Sequence, residues 1–184
     1  MAAIDLKALL GRFNELCRNS MQAAAGLTMS RSHYNVELEH WLIKLAEGAD
    51  TDFAAILRHY EADHGRLVTD LNRGLDRMKT GNARAPSLSP EIVEVAKQAW
   101  LLASVEHGLS RIRSGHILWA MLADENLSRR AREMSGQFAK IPVDMLKRDM
   151  LTITANSVEA ATATTSVDGA PAAGGGEDGA PRMG

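Results

Sequence analysis

Two Glu-x-x-His pairs are the residues of this chain whose types and spacing could do chemistry: Glu37 with His40, and Glu61 with His64. Residues three apart share one helix face, and helical di-iron proteins turn two such pairs inward. An oxidase of that kind also needs a Glu from each of two further helices. The second pair fits poorly, because Asp63 reads as a helix cap and Gly65 follows His64. No His-Glu-x-x-His motif is present, and Cys17 is the single cysteine, so the zinc spacings are missing and no metal ligands are assigned.

Other catalytic groupings fare no better. Cys17 lies on a helical stripe with Phe13 and Ser20, where a thiol is usually inert packing. No Gly-x-Ser-x-Gly elbow occurs. Glu37/Glu39 and Asp124/Glu125 read as solvated faces or helix caps, so no catalytic residue is assigned. Net charge is −2, and aromatics are 4% of residues. The basic clusters Arg111/Arg113 and Arg129/Arg130/Arg132 have acids nearby and read as surface or rim charge, not a nucleic-acid site. No apolar run is long enough to span a membrane. One cysteine and no basic-then-apolar leader lead to the expectation of a soluble cytoplasmic protein.

What positions these residues is a near-repeat. VELEHWLIKLAE from Val36 and RLVTDL from Arg66 return, about 76 to 79 residues later, as IRSGHILWAMLAD from Ile112 and MLKRDM from Met145. His40 and His116 take matching places, each opening an apolar helical run. A repeated position usually serves the fold, so both are expected as packed, hydrogen-bonded residues, with His33 and His59 partly exposed. Apolar residues are 45%, mostly Ala, Leu, Ile, Val and Met, which favours helices. The expected helices are a lead helix over Ile4–Phe13, then about 15–29, 37–47 ended by Gly48, 53–60 and 63–78. A Gly/Ser/Asn/Pro-rich linker, 79–90, precedes a second set near 90–107, 115–123, 126–137 and 144–153. Ser89-Pro90-Glu91 is a strong helix start. This is an all-α reading: two pseudo-symmetric four-helix units, about 14–79 and 89–154, plus a lead helix, together a domain over 1–154. Residues 155–184 turn to Ala, Thr, Gly, Ser, Pro and acids and are expected as a flexible linker or tail.

AAAGLTMSRSHYNVELEHWLIKLAE with RHYEADHGRLVTDL resembles the first repeat of the Clp/Hsp100 N-terminal domain. LLGRFNELCRNSMQAAAGL and Glu39-His40-Trp41-Leu42 look most like its ClpV (TssH) branch, the AAA+ unfoldases of bacterial type VI secretion. The resemblance runs from about Ile4 to Ile153. It implies the all-α double-repeat N-domain and a parent that is a hexameric ATPase using ATP and Mg. This chain carries no G-x-x-x-x-G-K-S/T loop, so no enzyme activity or cofactor is expected of it alone. The implied partner is a short amphipathic helix of a sheath subunit, bound so that the rings can disassemble contracted sheath. Docking such a helix needs a groove. With the lead helix as one wall, Leu6, Leu10 and Phe13 would line one side, Leu88 and Ile92 the other, with Arg12 and Arg84 on the rim. Alternatives are the N-domain of a general disaggregase or protease partner, binding adaptors or unfolded chains; a helical metal-dependent oxidase; and a self-associating structural module. The fragment itself is expected to be monomeric, without nucleic-acid or membrane partners.

Overall fold

Side chains that accept the orphan N–H groups of a first turn set most helix starts in this protein. The computed structural model describes residues 5–162. Asp5 caps α1 (Leu6–Leu10), and Asn14 Oδ1 accepts from Cys17 N at 2.9 Å to start α2 (Glu15–Ser30). Thr51 caps α4 (Asp52–His59), and Asp63 caps α5 (His64–Asp76). Ser89 caps α6 (Pro90–Leu101), and Asp124 caps α8 (Glu125–Met134).

The central helices α3 (Leu38–Ala46) and α7 (Ser114–Ala123) start differently. His40 Nδ1 accepts the Glu37 N–H at 2.9 Å, and His116 Nδ1 accepts the Arg113 N–H at 3.0 Å. Each histidine stands where a capping box has Glu or Gln. With Nδ1 accepting, the proton sits on Nε2 and is donated onward: to His33 Nδ1 at 2.8 Å, and to His107 Nδ1 at 2.9 Å. The His-to-helix-start expectation therefore holds, but His33 is buried rather than partly exposed, because it is the acceptor for His40. Both nitrogens of His40 are spent, which leaves Glu37-x-x-His40 nothing for a metal. His64 Nε2 meets Ala46 O at 2.6 Å.

Helices α2–α5 form one unit; α6, α7, α8 and α9 (Val143–Ile153) form the second. Leu67 and Leu71 of α5 and their counterparts Leu146 and Met150 of α9 are fully buried. The buried residues of both units belong to one continuous core, and nearly every residue of α7 is inside it. A two-residue parallel ladder, β1 (Asn35–Val36) with β2 (Ser87–Leu88), pins the linker across the first unit. Near 90–107 the expected single helix is two: after Leu101 the backbone widens into a π turn over Leu102–Glu106, closed by His107 N to Leu102 O at 3.2 Å.

Polar groups seal the seam between the units. Arg113, 4% exposed, grips Asp52 of α4 with two hydrogen bonds of 2.7 and 2.8 Å and reaches Thr154 Oγ1 at 3.0 Å. Arg130 of α8 holds both oxygens of the buried Glu39 at 3.0 Å and Glu91 at 3.2 Å. Arg113, Arg130 and Glu39 were expected at the surface; they are inter-unit ties. Gly115 is needed at this seam, since a Cβ there would lie 2.8 Å from the end of Met150 and 3.1 Å from Asp52 Oδ2. Gly48 shows no left-handed cap, as α3 stops at Ala46 with Glu47 in right-handed geometry. Asp124 is a cap, as expected.

Order also continues past residue 154, against the expectation of a flexible tail from Ala155. Residues 155–162 fold back, α10 (Val158–Ala161) forms, and Glu159 is 2% exposed. Residues 163–184 lie outside the described residues, as does Ile4.

Two outcomes follow from this seam and these histidines. Arg113→Ala, by leaving Asp52 buried and unpaired, is expected to cost about 3–5 kcal/mol in a denaturant titration. Removing the exposed Arg148 is expected to stay within about 0.5 kcal/mol. Burial, and then His33, hold His40 down to about 4. Burial, and then His107, hold His116 well below its ordinary value. A folded pKa below the unfolded one means that the unfolded chain binds more protons as pH falls. Stability should therefore be complete above about pH 6.5 and decline toward pH 4. A denaturation midpoint constant across that window would exclude neutral, paired histidines.

Candidate functional site

The lead helix is short, and it packs on the second unit rather than on the helix it precedes. Its carboxyl end is fastened there: Asn14 N donates to Ile112 O at 2.9 Å, and Ile112 N to Arg12 O at 2.7 Å. This forms a parallel bridge between Phe13 and Ile112. Arg111 donates to Gly11 O beside it. Phe13 is thus an extended residue and not the end of a helix over Ile4–Phe13.

Between α1 and α6 lies a cleft of about 370 Å³, lined by Asp5, Ala8, Leu9, Arg12, Lys97, Trp100 and Leu101. Its floor is apolar. The Arg12 guanidinium lies 4.8 Å from the centre of the Trp100 ring, a cation–π contact that orients both side chains. Leu101 is 52% exposed, and Val105, on the π turn, is 72% exposed. No group of His, Cys, Asp or Glu able to hold a metal occurs among the described residues. Burial pushes the Cys17 thiol well up, so it is a packed neutral group. The arrangement can bind a side-chain-bearing apolar surface.

The residues expected to line a groove separate in the structure. Leu6 and Leu10 are half-buried against the core, and Leu88 is half-buried on β2. Phe13 and Ile92 are fully buried. Phe13 stacks on Trp41 with ring centres 5.5 Å apart, so it holds the core. Arg84 is exposed on the linker, where its backbone bonds with Asn82. Only Arg12 of the seven lies at the cleft. Leu9, Trp100 and Leu101 line the cleft and were not among the expected residues. Trp100 carries a legible signal, as an aromatic next to Leu101 at the end of the α6 pattern, but its pairing with Arg12 is set by tertiary contact.

Residues 12–135 match the Clp repeat (R) N-terminal domain. The chain belongs to that family. This Clp repeat domain is 31% identical over 146 residues to the AAA+ ATPase ClpV1 of Pseudomonas aeruginosa, covering 79% of the chain and 16% of that protein. It is 33% identical over 169 residues to the chaperone ClpB of Yersinia enterocolitica, covering 92% of the chain and 19% of that protein. The chain thus spans less than a fifth of either curated relative. Among solved structures, the N-domain of ClpV from Vibrio cholerae superposes with a TM-score of 0.77 at 27% identity, over 86% of this chain and 95% of that one. A complex of a ClpV N-domain with a VipB peptide superposes with a TM-score of 0.74 at 26% identity, over 86% and 97%. The double-repeat all-α fold expected from sequence is therefore the fold of this chain. No helix among the described residues is long and apolar enough to cross a membrane.

Because Phe13 is core, Phe13→Asp is expected to remove the cooperative thermal transition, not merely to block a ligand; burying an unpaired carboxylate there costs several kcal/mol, about the whole stability margin of a domain. A melting curve decides it, and a well-folded Phe13→Asp protein would contradict the packing described.

Proposed function

We propose that this domain is the peptide-recognition module of a type VI secretion unfoldase. Its ligand is an amphipathic helix from a sheath subunit, seated between α1 and α6. The observation that carries this reading is the cleft: an apolar floor, an exposed leucine on one lip, and cations at Arg12 and Lys97 on its edges. A helix laid there would bury its apolar face on Leu9, Trp100 and Leu101 and keep its polar face wet. The ClpV N-domain solved with a VipB peptide, which shares this fold, supports the choice of ligand. The domain acts without cofactor and as a monomer, in the bacterial cytoplasm; ATP and Mg belong to ring modules of a longer, hexameric parent. Neither nucleic acid nor membrane is a partner.

The relation to ClpB favours a second reading, in which the same surface takes unfolded chains or adaptors. Titration of the domain with a fluorescent VipB peptide, against a reduced unfolded protein, separates the two. Saturable peptide binding is expected. Leu101→Asp should weaken it at least about tenfold, roughly 1.4 kcal/mol, while stability changes by no more than about 0.5 kcal/mol, as for an exposed site. Unfolded protein bound in preference to the peptide would favour the disaggregase reading. Peptide binding that ignores Leu101→Asp would move the site away from α6.

A further inference from the structure

Glu159 belongs to the segment that composition marks as unable to fold, yet it is one of the most heavily bonded side chains of the protein. Its carboxylate is 2% exposed. Oε1 accepts from Asn14 Nδ2 at 3.0 Å and Ser114 N at 2.6 Å; Oε2 accepts from Asp52 N at 2.8 Å and Ser114 Oγ at 2.5 Å. The donors come from three places: the cap of α2, the first residue of α4 and the first residue of α7. One carboxylate thus closes the positive ends of two helices that lie in different repeats.

What holds residues 155–162 to the domain is almost wholly polar. Ser157 Oγ donates to Asp52 Oδ1 at 2.5 Å, and Val158 N to Asp50 O at 2.8 Å. The Val158 side chain is half-exposed, and α10 is a single turn. Around this seat lie a second carboxylate, Asp52, and the Arg113 guanidinium that pairs with it. Burial, and then the charge of Asp52, raise the Glu159 pKa. Seating Glu159 therefore has a desolvation and like-charge cost that its four donors offset, with little apolar burial in addition. Segments anchored this way sit at the low end of local stability and open separately from the core.

Asn14 relays this seat to the cleft. Its Nδ2 binds Glu159, its Oδ1 caps α2, and its N–H binds Ile112 O; Ile112 N in turn binds Arg12 O, and Arg12 is a wall of the cleft. We propose that residues 155–162 are a latch that couples the α1/α6 cleft to the chain continuing beyond Thr162. With Glu159 seated, the α1–α2 junction is held on the second repeat and the cleft is formed; with Glu159 withdrawn, that junction loosens. Linkage makes the effect reciprocal, so a ligand that needs the formed cleft also holds the latch shut. The ligand half of this inference rests on the reading of the cleft as a peptide site; the mechanical half does not.

Amide hydrogen exchange on the full 184-residue chain tests it, comparing wild type with Glu159→Gln. The amide turns an acceptor into a donor against donors already in place. Exchange at Val158, Asn14 and Ile112 is expected to rise at least about tenfold, while amides inside α3 and α7 change by less than about threefold. An equal rise everywhere would make Glu159 a plain core residue, and a rise at Val158 without one at Asn14 and Ile112 would break the relay; either overturns the proposal. Val158→Pro is the milder variant, since it removes only the bond to Asp50 and proline suits a first helical position. It should raise the Asn14 and Ile112 rates in the same sense. Added VipB peptide should slow Val158 exchange in wild type and bind Glu159→Gln about five- to tenfold more weakly. Peptide that binds wild type without slowing Val158 overturns the coupling. Absence of peptide binding to wild type sinks the cleft reading alone, because the exchange rates without peptide still decide the latch.

Discussion

Two helices from different repeats point their amino-terminal ends into one dry seam, and the rest of the architecture depends on how that seam is neutralised. The first N–H groups of α4 and α7 cannot be satisfied by their own helices. Water is excluded, so partners must come from the protein. Asp52 takes the Gly115 N–H at 3.3 Å and the Arg113 guanidinium; Glu159 takes the Asp52 and Ser114 N–H groups. Buried ion pairs of this kind add little net stability over an apolar packing, but breaking one is costly. Their effect here is registry: Asp52 meets Arg113 only when the two repeats dock in one orientation.

The pseudo-symmetry of the fold is kept in position but not in chemistry. The start of α3 reaches α8 through Glu39 and Arg130, and the start of α7 reaches α4 through Arg113 and Asp52. Helices α4 and α8 are equivalents, so the two ties join matching pairs of helices with the charges exchanged. They do so from different positions, since Arg113 matches Glu37, and Asp52 opens its helix while Arg130 lies within its own. The position matching Glu39 is Gly115, where a side chain would strike Asp52 and Met150. What stayed the same in both copies is the neutral histidine pair, His33–His40 and His107–His116, which caps each central helix without bringing in a charge. Divergence was tolerated at the ties and not at the caps, because a cap answers a local backbone need that recurs whenever the helix does.

The lead helix gains its significance by crossing over. It precedes the first repeat in sequence and lies on α6 of the second, held by the Phe13–Ile112 bridge. That crossing creates a concave apolar strip without exposing the core, since Phe13 turns inward onto Trp41 while Leu9 and Arg12 face α6. The π turn after Leu101 leaves Val105 in solvent. The clamp on the cleft wall and the seat of Glu159 meet at Asn14, the first through its backbone N–H and the second through its side-chain Nδ2.

Local rules carried the sequence reading a long way. Asp5, Asn14, Asp63 and Ser89 cap helices because an Asx or Ser side chain reaches the first-turn amides whatever surrounds it. The Leu67/Leu71 and Leu146/Met150 matches named core faces because a helical period fixes which side is buried. The near-repeat pointed to two like four-helix units, and the resemblance supplied the family to which that fold belongs. What the sequence could not decide was which polar residues are inside. Arg113, Arg130 and Glu39 read as surface charge, and Glu159 as part of a loose tail, since composition weighs a residue by its own hydration and not by donors brought from residues far away in the chain. The burial of Phe13 and Ile92 was not legible for the same reason. A Leu/Phe stripe looks alike whether it faces a partner or the core, and only the docking of α1 across α6 decided that Phe13 packs inside while Trp100 and Leu101 meet solvent.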